Sequence, residues 1–253
     1  MDSKIRVSAI SYLNSYPFLI GLKNHSVIKK IELSVDYPSK CAEKLITNQA
    51  DIGLIPSAAI HLIEKPRIIS DFCIGAMSKV RSVLLVCDVP LDDIKTVYLD
   101  FESRTSVALV QILAKHFWKK NFIYSKTCAG FESKMLQTGE AMVMIGDKAL
   151  LHQNDHAVVF DLAEEWIKFS GLPFVFAFWV ANKPIDEQFQ LLFSLALEMG
   201  LSDLGKVAKQ AVEDNPALKS IDILSYFTDN ISYMVDEKKI EGYKLFSTYL
   251  KQL

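Results

Sequence analysis

The sequence predicts an α/β fold of two lobes, each with a mostly parallel sheet, and a group of helices at the C-terminal end. Strand-like and helix-like segments alternate from residue 5 to about residue 180, a pattern typical of βαβ units. The alternation restarts after a turn at Pro90, Asp92 and Asp93, which indicates a second lobe. From Glu187 onward no strand pattern is evident, and the apolar residues fit packed helices.

The first lobe is predicted to contain five strands with short helices between them. Pro17, Pro38 and Pro56 each follow a strand-like segment, and proline suits the first turn of a helix. The predicted segments, in order, are strand Ile5–Ile10, helix Pro17–Leu22, strand Ile31–Tyr37, a helix from Pro38, strand Asp51–Ile55, a helix from Pro56, and strands Cys73–Met77 and Ser82–Val86.

The second lobe is predicted to repeat this pattern, and helices follow it. Its segments are strand Thr96–Leu99, helix Val107–Phe117, strand Phe122–Tyr124, a helix near Glu132–Gln137, strands Ala141–Ile145 and Ala157–Phe160, helix Glu164–Phe169 and strand Pro173–Val180. The C-terminal helices are Gln188–Met199, a helix capped by Ser202 and a final helix capped by Asp236.

The order of the segments also predicts the limits of the lobes. A chain that crosses to the second lobe near residues 86–92 must return, and Pro173–Val180 is the expected return. We therefore expect lobe I to comprise residues 1–88 and 181–253, and lobe II to comprise residues 89–180. This is the architecture of periplasmic-type solute-binding proteins. We expect a ligand in the cleft between the lobes, near the carboxyl ends of both sheets.

Composition excludes several classes of protein. The 253 residues include 28 Lys and Arg against 30 Asp and Glu, so the net charge of −2 argues against nucleic acid or an anionic membrane as a partner. The four cysteines form no C-x-x-C pair. The longest apolar run, Leu172–Ala181, is too short to span a membrane, and the N-terminal residues lack the pattern of an export signal. We expect a cytoplasmic protein.

Motifs for cofactors and metals are also missing from the sequence. It contains no G-x-G-x-x-G, no G-x-x-x-x-G-K-[ST] and no G-x-S-x-G. His152 and His156 are four residues apart, but no carboxylate motif accompanies them, and exposed histidines at a helix end are the preferred interpretation. We expect neither a cofactor nor a metal ion.

Polar residues that follow strands are the candidates for binding and catalysis. The segment from Asp100 to Ser106 is the strongest, because its hydroxyls and the unpaired N–H groups of the following helix can bind an anion. From the pattern alone, helix capping by Asn14 or Ser15, and by Ser57, is the preferred interpretation of those two segments, and an ordinary strand serine is preferred for Ser82, next to Arg81. The candidates are Asn14, Ser57, Ser82, Ser103, Thr105, Ser106, Gly146 and Asp147.

Six segments, in this order, resemble the chorismate dehydratase family of the futalosine route to menaquinone. They read SYLNSYPFLIGL, ADIGLIPSAA, VRSVLLV, SRTSVALV, MIGDKALL and DLAEEWIKFSGLPFVFAFW, and IEGYKLF near the C-terminus is also similar. The resemblance covers Ile5 to Val180. It implies a two-lobed, periplasmic-binding-protein-like fold of type II and a hydro-lyase that removes water from chorismate to give 3-[(1-carboxyvinyl)oxy]benzoate, without a cofactor.

The resemblance also implies roles for the candidate residues. Asn14 lies in the family's Y-L-N-x-x-P segment, where an amide can orient a carboxylate or bond the departing hydroxyl but cannot act as a base. The base is then the enolpyruvyl carboxylate of the substrate or Asp147. The other candidates would bind the carboxylates of chorismate. The oligomeric state is not predicted.

Two alternatives remain open at this point. The paralogous 1,4-dihydroxy-6-naphthoate synthase of the same pathway shares the fold, but its N-terminal motif differs from SYLNSYP. A noncatalytic solute-binding protein for a small carboxylate is the second alternative. That class is expected to carry an export signal or a lipobox, and neither pattern is present in the sequence.

Overall fold

The computed structural model describes residues 4–131 and 135–253, which form two compact units. Unit 1 comprises the described residues up to Gly75 together with Val175–Val235, and unit 2 comprises those of Ala76–Phe174 together with Asp236–Leu253. The helix predicted near Glu132–Gln137 falls partly on residues 132–134, which lie outside the described residues, and residues 135–137 are not helical.

Strands and helices alternate along the described chain, as the sequence predicts. The strands are β1 (Ile5–Ile10), β2 (Ile31–Asp36), β3 (Ile52–Pro56), β4 (Arg67–Ala76), β5 (Val83–Cys87), β6 (Thr96–Leu99), β7 (Ile123–Lys126), β8 (Glu140–Ile145), β9 (Val158–Asp161), β10 (Phe174–Ala181) and β11 (Ser232–Met234). The α-helices are α1 (Tyr16–Asn24), α2 (Pro38–Ile46), α3 (Thr105–Ile112), α4 (Gly146–His152), α5 (Leu162–Ser170), α6 (Glu187–Leu201), α7 (Leu204–Asp214), α8 (Ile223–Ser225) and α9 (Glu237–Leu250).

Each unit contains one sheet, and both sheets are mixed. The sheet of unit 1 has the order β11-β4-β10-β3-β1-β2, with β1 parallel to β2 and β3, and β10 antiparallel to β3. The sheet of unit 2 has the order β7-β6-β8-β5-β9, with β6 parallel to β7 and β8, and β5 antiparallel to β8 and β9. The prediction of mostly parallel sheets is wrong, because a continuous apolar run such as β5 or β10 indicates burial on both faces but not strand direction.

The limits of the units differ from the predicted lobes. Strand β5 lies between β8 and β9, so residues 83–87 belong to unit 2 and not to lobe I. Helix α9 belongs to unit 2 as well, where its Phe246 packs against Phe174 with ring centroids 5.1 Å apart. Gly242 lets α9 approach closely, since a Cβ there would lie 2.2 Å from the Pro173 carbonyl oxygen.

Two smaller predictions for the C-terminal part are also wrong. Strand β11 follows Glu187, where no strand was expected, because three residues are too few to show a period. Helix α7 is capped by Asp203, whose Oδ1 accepts the Lys206 amide at 2.9 Å, and not by Ser202. The predicted cap of α9 is confirmed, since Asp236 Oδ1 accepts the Lys239 amide at 2.8 Å.

Each unit has its own aromatic core. In unit 1 the ring of Phe18 lies 6.0 Å from Trp179 and 5.3 Å from Tyr233, in edge-to-face arrangements. In unit 2 the fully buried Trp166 contacts Phe174 and Phe246 in the same way. In the part of the chain that the structure describes, no helix combines the length and the apolar character required for a membrane span.

Candidate functional site

Asn14 and Ser57 lie at the same edge of the sheet of unit 1. Strands β1 and β3 are parallel neighbours, so their carboxyl ends, Ile10 and Pro56, lie at one edge. Asn14 is in the turn after β1, and Ser57 begins the 3-10 helix directly after β3. Parallel pairing therefore explains why Asn14 and Ser57, 43 positions apart in the sequence, lie at the same edge of the sheet.

The turn that carries Asn14 is fixed at several points. The Ser11 amide donates to the Asp36 carbonyl oxygen at 2.9 Å, which ties the turn to the end of β2. The buried Ser15 hydroxyl lies 2.6 Å from the Ile10 carbonyl oxygen. The Tyr233 hydroxyl of β11 donates to the Asn14 carbonyl oxygen at 3.1 Å. The backbone of Asn14 is therefore held by a strand 219 residues away in the sequence.

The side chain of Asn14 differs from its neighbours in having an unsatisfied polar atom. Its Oδ1 is buried and has no hydrogen-bond partner among the described residues. A buried acceptor without a partner costs about 1–3 kcal/mol, and such a group in a native structure requires an explanation. Helix capping does not provide one, because α1 has no side-chain cap from Ser15 or any other residue described.

Ser57 has a structural contact in place of a cap. Its hydroxyl donates to the Val175 carbonyl oxygen at 2.6 Å, and the residue is 2% exposed. This hydrogen bond joins the end of β3 to the beginning of β10. The helix-cap interpretation of Ser57 is wrong, since no side-chain cap is formed there. The hydroxyl proton of Ser57 is occupied within unit 1, and its role toward a ligand stays a prediction.

The other six candidates follow or precede strands at one edge of the sheet of unit 2. Strands β6 and β8 are parallel and both end at this edge, while the antiparallel β5 begins there, with Val83 opposite Ile145. The segment from Asp100 to Ser106 leaves β6, Gly146 and Asp147 leave β8, and Ser82 enters β5.

The start of α3 is a capped helix N-terminus. Ser103 Oγ accepts the Ser106 amide at 3.0 Å, and Asp100 Oδ1 accepts the Glu102 amide at 2.8 Å. Ser103, Thr105 and Ser106 are all buried. Of the two residues predicted as possible caps, Ser103 and Thr105, the structure identifies Ser103. Its oxygen therefore stabilises α3, while Thr105 and Ser106 form the first turn.

Ser82 and Gly146 are joined directly. The Gly146 amide donates to the Ser82 carbonyl oxygen at 2.8 Å, so the beginning of β5 and the end of β8 are fixed to each other. Gly146 has a φ of +63°, a left-handed conformation that glycine adopts without steric cost. Asp147 lies beside it in the first turn of α4 and is half-buried.

Sequence reasoning missed Asp161 at this same edge. Its Oδ1 accepts the Ala163 and Glu164 amides at 3.1 Å, which caps α5, and its Oδ2 accepts the Arg81 amide at 2.7 Å. Burial raises the pKa of Asp161, and its backbone donors offset this only in part. The D-x-x-E pattern of Asp161 and Glu164 could have identified the cap, but nothing near it in sequence indicates the contact with Arg81.

The histidine pair shows no shared ligand geometry. His152 Nδ1 lies 2.9 Å from Asp155, and His156 Nδ1 lies 3.7 Å from Asp88. Within residues 4–131 and 135–253, no group of three or more His, Cys, Asp or Glu side chains could hold a metal ion.

The sequence is similar to a known family and to two named relatives. A family described as menaquinone biosynthesis matches residues 5–252 of the chain. The chorismate dehydratase of Thermus thermophilus is 27% identical over 238 residues, which are 84% of each chain. The chorismate dehydratase of Campylobacter jejuni is 30% identical over 173 residues, which are 66% of this chain and 63% of that protein.

Solved structures confirm the periplasmic-binding-protein-like fold. Protein AF1704 of Archaeoglobus fulgidus has a TM-score of 0.76 at 13% identity, with 98% of this chain and 97% of that chain covered. The periplasmic aliphatic sulphonate binding protein SsuA of Escherichia coli has a TM-score of 0.60 at 14% identity, with 100% and 92% covered. The alkanesulfonate-binding protein SsuA of Xanthomonas axonopodis, bound to MOPS, has a TM-score of 0.64 at 12% identity, with 98% and 93% covered. At these identities the similarity concerns the fold alone.

Proposed function

The chain belongs to the menaquinone biosynthesis family, and we propose that within this family it is a chorismate dehydratase. The observation that carries the proposal is the match of nearly the whole chain to the family, together with two relatives that bear this name. The reaction would be the elimination of water from chorismate, which gives 3-[(1-carboxyvinyl)oxy]benzoate. In reaction class it would be a carbon–oxygen hydro-lyase.

The chemistry requires one proton transfer and one leaving group. The ring carbon that bears the enolpyruvyl ether loses a proton, and the neighbouring carbon loses its hydroxyl, so that together they leave as water. Aromatisation of the ring provides the driving force. The protein then has to hold the substrate in a reactive geometry and to assist the departing hydroxyl, and positioning of this kind can lower a barrier substantially.

Asn14 is proposed to assist the departing hydroxyl or to orient the enolpyruvyl carboxylate. Its buried Oδ1 has no partner among the described residues, and the substrate hydroxyl is a donor that would satisfy it in the ground state and so hold this group in position. Assistance to the departing hydroxyl, or a hydrogen bond to the carboxylate, would come from the Nδ2 amide, which donates. An amide has no useful basicity, so the proton must go elsewhere. We assign it to the enolpyruvyl carboxylate of the substrate itself, with Asp147 as the alternative base.

The residues of unit 2 are proposed to bind the carboxylates of chorismate. Thr105 and Ser106 lie in the first turn of α3, where the helix dipole and backbone N–H groups favour an anion. Ser82 and Gly146 lie at the same edge of the sheet. Ser57 in unit 1 and the cap residue Ser103 complete the proposed set. The prediction that the ligand lies between the units stays a prediction.

We propose further that the reaction needs no cofactor or metal ion, and that the protein acts in the cytoplasm without a nucleic acid or membrane partner. The test is to incubate the purified protein with chorismate, with and without a chelator, and to analyse the mixture by mass spectrometry. A product lighter by one water, formed equally in both samples, is expected. Bound but unchanged chorismate would indicate a solute-binding protein, and no binding would favour the naphthoate synthase reaction.

A further inference from the structure

Arg81, directly before Ser82, has an unusual backbone conformation. Its φ is +63°, in the left-handed region that residues other than glycine rarely adopt. Such a conformation is strained and persists only where surrounding contacts support it. Ser82 is fully buried and accepts the Gly146 amide. The strained residue therefore immediately precedes a residue at the proposed site.

Asp161 contacts the backbone at Arg81. Its Oδ2 accepts the Arg81 amide at 2.7 Å, and the Val80 amide also donates to this carboxylate. Because β9 pairs with β5, with Asp161 opposite Leu84, the carboxylate lies next to the start of β5. A second contact joins the same segments, since Lys79 Nζ lies 3.7 Å from Glu164 at the start of α5.

A helix cap alone does not require these contacts. Capping of α5 uses Oδ1, which accepts the Ala163 and Glu164 amides. Asp203, the cap of α7, has the same capping bond to the Lys206 amide but lies on the surface of unit 1. Asp161 thus has one oxygen for the cap and the other for the turn at Arg81, and it is 7% exposed.

We propose that Asp161 is a positioning residue that binds the Val80 and Arg81 amides, holds Arg81 in its left-handed conformation and thereby fixes Ser82 for substrate binding. This proposal rests on the proposed function, because the role of Ser82 toward chorismate belongs to it.

The discriminating variant is Asp161→Ser. Serine is a good N-cap residue, so α5 keeps its cap, but the shorter side chain does not reach the Arg81 amide. We expect KM for chorismate to rise about tenfold, with a smaller change in kcat, as for a lost binding interaction. The matched control is Asp203→Ser, which makes the same replacement at a cap with no turn to hold and should leave KM unchanged.

Arg81→Gly provides a second, independent comparison. Glycine adopts the left-handed conformation without support, so the effect of Asp161→Ser should shrink to less than about threefold when position 81 is glycine. An equal effect in both backgrounds would overturn the proposal, as would an unchanged KM in Asp161→Ser. If Asp161→Ser does not fold, as judged by circular dichroism, the isosteric Asp161→Asn takes its place in the same comparison.

Amide hydrogen exchange separates this proposal from the proposed function. Exchange at residues 80–82 should be faster in Asp161→Ser than in the wild type, and unchanged in Asp203→Ser. Unchanged exchange at these residues would disprove the positioning role whatever the enzyme does. A wild-type protein that leaves chorismate unchanged, with faster exchange in the variant, would instead disprove the proposed function.

Discussion

Asn14 in unit 1 and Ser103 in unit 2 occupy the same kind of position, a turn between a strand and a helix. Ser103 Oγ accepts the Ser106 amide and caps α3, whereas Asn14 Oδ1 has no partner among the described residues. A capping oxygen stabilises the fold, while a buried oxygen without a partner destabilises it. A position after a strand therefore does not by itself distinguish a structural residue from a functional one, whereas the hydrogen-bond partners of its side chain do.

Two buried aspartates extend this comparison. Burial alone would raise the pKa of Asp51 in unit 1, but hydrogen bonds from Arg6 and Lys183 lower it to about 2. Among the described residues, Asp161 in unit 2 accepts hydrogen bonds from backbone amides alone, and burial raises its pKa. The ion-paired Asp51 connects Arg6 of β1 and Lys183, which follows β10, to the start of β3. The Asp161 carboxylate is satisfied by backbone donors and stabilises local structure, whereas the Asn14 Oδ1 has no partner among the described residues.

The largest expected effect concerns the first turn of α3. Ser106→Ala or Thr105→Ala should raise KM for chorismate, because a lost charge-assisted hydrogen bond costs about 1.5–3 kcal/mol in both the ground state and the transition state. Steady-state kinetics would measure this. An unchanged KM would show that both residues stabilise the helix and do not bind the substrate.

Asn182 in unit 1 provides a control for Asn14, and its substitution should give the next largest effect, in this case on stability. Asn182 Nδ2 lies 3.0 Å from each of three acceptors, on Leu45, Asn48 and Ala50. Asn182→Ala should therefore lower the free energy of unfolding by about 2 kcal/mol, while Asn14→Ala should not lower it. Urea unfolding of both variants checks this. Equal losses would remove the distinction between a bonded and an unbonded amide.

Ser103→Ala should have a smaller effect, again on stability. Loss of the cap of α3 is expected to cost about 1 kcal/mol in unfolding free energy, while KM should change less than in Ser106→Ala. Thermal unfolding combined with kinetics measures both quantities. A KM that rises as much as in Ser106→Ala would show that substrate binding, and not the cap of α3, is the main role of Ser103.

The last expected effect is the pH dependence of stability. Since the pKa of Asp51 is lower in the folded state than its ordinary value of about 3.9, its contribution is complete above that value and is lost as pH falls toward about 2. The raised pKa of Asp161 has the opposite sign, so acidification through its folded pKa increases stability. Denaturant unfolding at a series of pH values should show a weaker acid loss in Asp51→Asn than in the wild type.

The sequence predicted local structure well and long-range contacts poorly. Pro38 and the apolar spacing after it correctly predicted the start of α2, and Thr96–Leu99 is the strand that the sequence predicts. The direction of β5 was not predictable, because a strand buried on both faces shows no alternation. Tyr233 contacts Asn14 across 219 positions of the sequence, and Asp161 contacts Arg81 across 80. A local sequence pattern cannot predict contacts over such separations.

Kinetics of Asn14→Ala on chorismate, compared with the wild type, test whether Asn14 acts in the transition state. We expect wild-type protein to release a product lighter by one water, and the variant to have a kcat at least about tenfold lower, a KM within about threefold of the wild-type value and an undiminished melting temperature. This pattern would assign Asn14 to the transition state. A variant with wild-type kcat and a lower melting temperature would contradict the account, because Asn14 would then be a structural residue.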